Sequence, residues 1–141
     1  MSTEEEIASL IDAWAAAIRA KDLDGSLSHY APDVIGFDLV EPLRYVGADA
    51  LRKRLEDWFA SFDGTIDFEN HELEIIGSDG VAFAHSLNHV TGTLTDGKSL
   101  DMYWRATLCL RKIDGEWLVV HTHTSVPFDM QTGEAQIDLK P

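Results

Sequence analysis

Residues 104–128, WRATLCLRKIDGEWLVVHTHTSVPF, decide how this chain folds. On either side of the turn pair Asp114-Gly115 lie flanks rich in Thr, Val, Leu and Trp, the composition of half-buried strands. Side chains alternate across a strand, so Arg105 and Thr107 share one face of the first flank, and His121, His123 and Ser125 share one face of the second. The segment predicts a long antiparallel hairpin, polar on one side and apolar on the other.

The two-residue periodicity extends upstream to Thr65. Strands are predicted over about 65–76, 81–94, 99–112 and 116–128, separated by Ser78-Asp79-Gly80, Asp96-Gly97 and Asp114-Gly115. Before Thr65 the period is helical. Ile7, Leu10, Ile11, Trp14 and Ile18 form a stripe over about 3–20, opened by a Thr3–Glu6 capping box. A short helix over 22–30 stops before Pro32, a strand follows over 34–39, and a polar loop over 41–45 leads to a third helix. Gly47 to Asp49 open that helix, its stripe is Leu51, Leu55, Trp58, Phe59 and Phe62, and Asp63-Gly64 close it. Helices followed by long hairpins define an α+β domain, one unit over residues 1–141. Strands this long twist and curl, so the expected architecture is a cone-shaped antiparallel sheet with three N-terminal helices on its concave face and a pocket at the open end.

Composition narrows the partners. With 25 acids against 11 Lys and Arg, the formal charge of −14 argues against nucleic acid and anionic membrane, which both require a basic patch. The single Cys109 in an apolar strand offers neither an internal disulfide nor a cysteine-rich metal site. MSTEEEIASL lacks the basic start and apolar run of a signal peptide, and no stretch is long enough to span a bilayer, so a cytoplasmic protein is expected.

The faces follow from the turns. A two-residue Asp96-Gly97 turn would set Leu87 beside Ala106 and His85 beside Leu108, placing Phe83, His85, Leu87, His89, Met102, Trp104, Ala106, Leu108 and Leu110 on the concave face. Ser86, Asn88, Tyr103, Arg105, Thr107 and Cys109 would then face outward. Three loop residues at Asp114-Gly115 would bring Leu118, Val120, Thr122 and Thr124 inward and leave Trp117, Val119, His121, His123 and Ser125 outside; two would exchange the sets. The three-residue form is preferred because it keeps Leu118 and Val120 with Leu108 and Leu110.

Several segments together resemble the SnoaL-like, ketosteroid-isomerase-related branch of the nuclear transport factor 2 superfamily: Tyr30-Ala31-Pro32-Asp33, Phe37-Asp38, Pro42–Gly47, Trp104–Thr107, Arg111–Trp117 and His121–Pro127. The resemblance covers essentially the whole chain and implies the cone fold. It implies no single reaction, since the superfamily holds isomerases, cyclases, epoxide hydrolases, dehydratases and non-catalytic assembly modules. Asp38 stands where ketosteroid isomerases carry their proton-transferring aspartate. The chain departs from them where they place two oxygen-binding donors: Trp14 stands at the helix-one position, and Thr107 or Leu108 at the late-strand position.

The catalytic candidates are Asp38, as a base made useful by desolvation, and His85, as its acid partner. Trp14, Tyr30, Phe37, Trp58, Phe62, His89, Met102, Trp104 and Thr122 are the candidate binding residues. Asn88, Arg105, Thr107, His121, His123 and Ser125 are expected to form a convex polar network that meets a second copy. His121 and His123 have a spacing that suits a metal, but no third ligand shares their face, so neither metal nor cofactor is expected. The resulting expectation is a homodimer that binds a small hydrophobic carbonyl compound and catalyses proton transfer, as in isomerisation or aldol-type cyclisation. Its rival is a non-catalytic ligand-binding or assembly module resembling the calmodulin-dependent kinase association domain.

Overall fold

The computed structural model describes residues 1–141. Helix α1 spans Thr3–Arg19 and is capped by Ser2, whose hydroxyl accepts the Glu5 N–H at 3.1 Å, one residue earlier than the predicted box. Helix α2, Leu23–Leu27, is capped by Asp22. It ends sooner than predicted because Tyr30 already belongs to strand β1, Tyr30–Phe37. The predicted polar loop contains a two-residue strand, β2, Tyr45–Val46, which pairs with Ile35 and Gly36. Helix α3, Ala48–Ala60, is followed by β3 (Phe62–Ser78), β4 (Val81–Leu94), β5 (Ser99–Ile113) and β6 (Glu116–Ser125). No helix is long and apolar enough to cross a membrane.

These strands form one curved, open sheet in the order β2-β1-β6-β5-β4-β3. One pairing departs from the predicted antiparallel pattern: β1 runs parallel to β6. The helices lie on the concave side and close two apolar clusters against it. Ile7 and Ile11 pack with Val34, Ala84, Leu110 and Val119, while Ile18 and Phe59 pack with Phe62, Ile66, Phe68 and Val90. Full burial of such side chains contributes roughly 1.5–3 kcal/mol each before chain entropy is counted, so these clusters fix which face is concave.

Both long hairpins differ from the predicted turns. The β4–β5 loop has three residues, Thr95-Asp96-Gly97, with Gly97 in the left-handed region at φ 86°, the position that such a loop reserves for glycine. His85 is therefore opposite Thr107 rather than Leu108. That one-residue difference turns β4 over: Ala82, Ala84, Ser86, Asn88 and Val90 face the helices, and Phe83, His85, Leu87 and His89 face away.

The β5–β6 loop errs in the other direction. Asp114 at φ 51° and Gly115 at φ 84° make a two-residue turn of mirror-image type, so Ile113 pairs with Glu116 and Leu110 with Val119. Trp117 and Val119 are thus buried, and the Trp117 indole N–H donates to Glu6 Oε2 at 3.0 Å. A bulge then leaves Val120 as an extra residue between the pairs Leu110–Val119 and Cys109–His121. Beyond it Thr122 and Thr124 face inward while His121, His123 and Ser125 face outward. These positions agree with the expectation, but the bulge rather than the turn puts them there.

Candidate functional site

Between the two apolar clusters lies a cavity of about 180 Å³, measured by the space open to centres of water-sized molecules. One water needs only ~10–15 Å³ on that measure. Seventeen of the 25 lining residues are hydrophobic. Ile11 and Trp14 from α1, Leu51, Arg54, Leu55 and Trp58 from α3, and inward residues of β4, β5 and β6 form its walls.

Asp38 enters this cavity just beyond the end of β1. Alternation along β1 buries Val34 and Gly36, so the next inward position is Asp38, while Ile35 and Phe37 pair with His121 and His123 on the other face. The Asp38 side chain is 20% exposed, and its Oδ2 accepts from Arg54 Nε at 3.0 Å. Oδ1 accepts the Leu39 N–H at 2.6 Å and, more loosely, the Thr124 hydroxyl at 3.3 Å. Four lone-pair sites less three donors leave the carboxylate one open position.

Tyr30 and Trp14 stand on the same lining. Burial pushes the Tyr30 phenol up to about 12; the Trp14 indole N–H offsets part of that rise and the Asp38 charge adds to it. The phenol therefore keeps its proton at neutral pH and remains a donor. Trp14 Nε1 is sealed from solvent and makes no well-formed hydrogen bond to any protein atom. A second polar group lies across the sheet: Asn88 Oδ1 accepts from Asn70 Nδ2 and from Ser86 Oγ, each at 2.8 Å.

Of the sequence candidates, the structure brings Asp38, Trp14, Tyr30, Trp58, Met102, Trp104 and Thr122 together on this lining. Others lie elsewhere. His85 is on the convex face with its side chain 49% exposed, 3.8 Å from Glu74 Oε2, and it does not face Asp38. His89, turned outward by the same loop residue, stacks on Tyr103 with ring centroids 4.1 Å apart and lies 2.7 Å from Asp101. Phe37 borders the cavity, but its ring packs edge-on against His121 and His123. Phe62 is a core residue beneath Trp58. Ser86 and Asn88, expected outside, both face the cavity, and Asn88 is buried.

Arg105, Thr107, His121, His123 and Ser125 do share the convex face. Arg105 Nε donates to Ser125 Oγ at 3.1 Å, and His121 Nδ1 donates to the Ile35 carbonyl at 2.8 Å. Sequence reasoning missed Arg54, Asn70 and Ser86 as cavity residues. Arg54 had a signal, because it is three residues after Leu51 and four before Trp58 and so belongs to the inward stripe of α3. Asn70 and Ser86 had none, since their facing depends on loop and bulge lengths.

A family model for the SnoaL-like domain matches residues 7–129. An NTF2-like protein of unknown function from Pseudomonas putida KT2440 is 36% identical, with a TM-score of 0.89 over 100% of this chain and 99% of that one. A provisionally assigned calcium/calmodulin-dependent protein kinase II association domain from Xanthomonas campestris is 21% identical, with a TM-score of 0.78 over 99% and 91% of the two chains. A ketosteroid isomerase-like protein from Erwinia carotovora atroseptica is 23% identical, with a TM-score of 0.75 over 89% and 97%. The last two show the fold alone. No curated protein sequence matches this chain.

Proposed function

This chain belongs to the SnoaL-like domain family, and on that premise we propose that its cavity binds a small hydrophobic carbonyl compound and moves a proton on it, with Asp38 as the base. The supporting observation is a carboxylate with one open lone pair on the wall of a mostly apolar cavity that also holds the Tyr30 phenol as a donor. Arg54 holds the carboxylate in one orientation, and the apolar walls limit competition from water. In the proposed step Asp38 takes the proton from the carbon beside the carbonyl, and the C–H electron pair moves to the carbonyl oxygen. Tyr30 donates to that oxygen as its charge develops, with the Trp14 indole N–H beside the phenol. Returning the proton to a different carbon gives isomerisation; attack of the enolate carbon on a second carbonyl gives aldol closure. The convex face, which carries His121, His123, Arg105 and Thr107, is assigned to contact with a second copy.

The rival reading, a non-catalytic ligand-binding or assembly module, draws support from the Arg54–Asp38 ion pair, which could serve structure alone. Hydrogen–deuterium exchange at the α-carbon of a panel of cyclic ketones, followed by NMR in heavy water, separates the two. The wild type should catalyse exchange on at least one ketone, and Asp38→Asn should lower that rate by about 10²–10⁴ while the fold is retained. No catalysed exchange, or an undiminished rate in Asp38→Asn, would put the module first.

A further inference from the structure

The cavity has a second polar end that the proposed proton transfer does not use. Ser86, Ala106 and Thr124 lie in one cross-strand row on the concave face, Ser86 opposite Ala106 and Ala106 opposite Thr124. Neighbouring strands are ~4.8 Å apart, so the Ser86 backbone stands about 10 Å from that of Thr124, the residue that touches Asp38. Between them the floor is the Ala106 methyl group, flanked by Trp104 and Leu108.

Asn88 is 4% exposed. Its Oδ1 is filled by Asn70 and Ser86, whereas its Nδ2 has no protein acceptor and is not among the side-chain atoms sealed without a partner, so the amide N–H groups open into the cavity. Packing alone does not call for this cluster. Two residues along the same strands, Phe68 and Val90 fill the equivalent inward positions with apolar bulk. Asp38 and Arg54 are the charged side chains on the lining, and they neutralise one another.

We propose that Asn88, held by Asn70 and Ser86, is a second hydrogen-bonding anchor, and that the ligand is a neutral, oblong apolar molecule of the size of two fused rings with an oxygen function at each end. This rests on the reading that the cavity takes a small molecule, and not on Asp38 being a catalyst.

Equilibrium binding of naphthalene, 2-naphthol and 2,6-dihydroxynaphthalene tests it, since the three share one apolar body and differ only in oxygen count. The wild type should bind the diol roughly five- to tenfold more tightly than 2-naphthol. Asn88→Leu should bring the two to within twofold of each other without weakening 2-naphthol. The double variant Ser86→Ala with Asn70→Ala, which unhooks Asn88 without changing it, should cut the same gain at least threefold and decides the matter if Asn88→Leu does not fold. Equal affinity of diol and naphthol for the wild type, or a gain that survives in the variants, would overturn the second anchor and leave the binding cavity standing. Failure of all three compounds to bind the wild type would overturn both.

Discussion

The concave and convex faces of this sheet carry polar groups on opposite terms. Inside, the carboxylate and the amides are tied into two small clusters: Asp38 to Arg54 and Thr124, Asn88 to Asn70 and Ser86. Outside stand five of the six histidines, His71, His85, His89, His121 and His123, among Phe37, Phe83 and Tyr103, with no helix over them. A buried polar group without a partner costs about 1–3 kcal/mol, so the inner face admits few and pairs most of them. The outer face is under no such constraint, and its mixture of imidazole, phenyl and guanidinium suits contact with another protein surface. Residue type alone does not distinguish the faces. One residue of strand register does.

The largest effect should therefore come from the inner face: Phe68→Ala should cost about 3–5 kcal/mol in urea unfolding, and Phe83→Ala on the outer face less than ~0.5 kcal/mol, given exposures of 1% and 41%. A large cost for Phe83→Ala that grew with protein concentration would mean that the outer face is covered by a second copy.

Tyr30 allows a pH test of the inner face. Its folded pKa is raised to about 12 from 10.0, so burial disfavours the phenolate. The corresponding stability is complete below pH 10 and is lost as pH rises toward 12, an effect of about 2–3 kcal/mol. Alkaline absorbance titration should show a step near pH 12 that Tyr30→Phe removes, along with that part of the alkaline destabilisation. A Tyr30→Phe variant that loses its step near pH 10 instead would place this phenol in contact with solvent. The smallest effect concerns the outer face. Arg105→Glu with His123→Glu should weaken self-association at least tenfold, about 1.4 kcal/mol, as read by sedimentation. A wild type that sediments as a 15.7 kDa monomer at every concentration would remove the proposed dimer.

The β5 face assignment was legible because Met102, Trp104, Ala106, Leu108 and Leu110 alternate with polar or small residues for the whole strand. Strand β4 was not, because Phe83, Leu87, Ala84 and Val90 put apolar residues on both faces, and only the length of the Thr95-Asp96-Gly97 loop separates them. That loop removed His85 and His89 from the cavity and supplied Ser86 and Asn88 in their place. Asp38 illustrates a different ambiguity, since strand alternation lets either Asp38 or its apolar neighbours Phe37 and Leu39 face inward. The tertiary structure turns it inward because Phe37 has another place to pack, against His121 and His123.

By itself the sequence determined the order of helices and strands, the α+β class and the family, since these follow from periodicity and from local motifs that extend over a few residues. The tertiary structure alone decided the parallel pairing of β1 with β6, the facing of β4 and the partners of Asp38. Those depend on contacts between residues far apart in the chain, such as Arg54 with Asp38 and Asn70 with Asn88. A single loop or bulge residue, nearly neutral in local propensity, sets which of those contacts form.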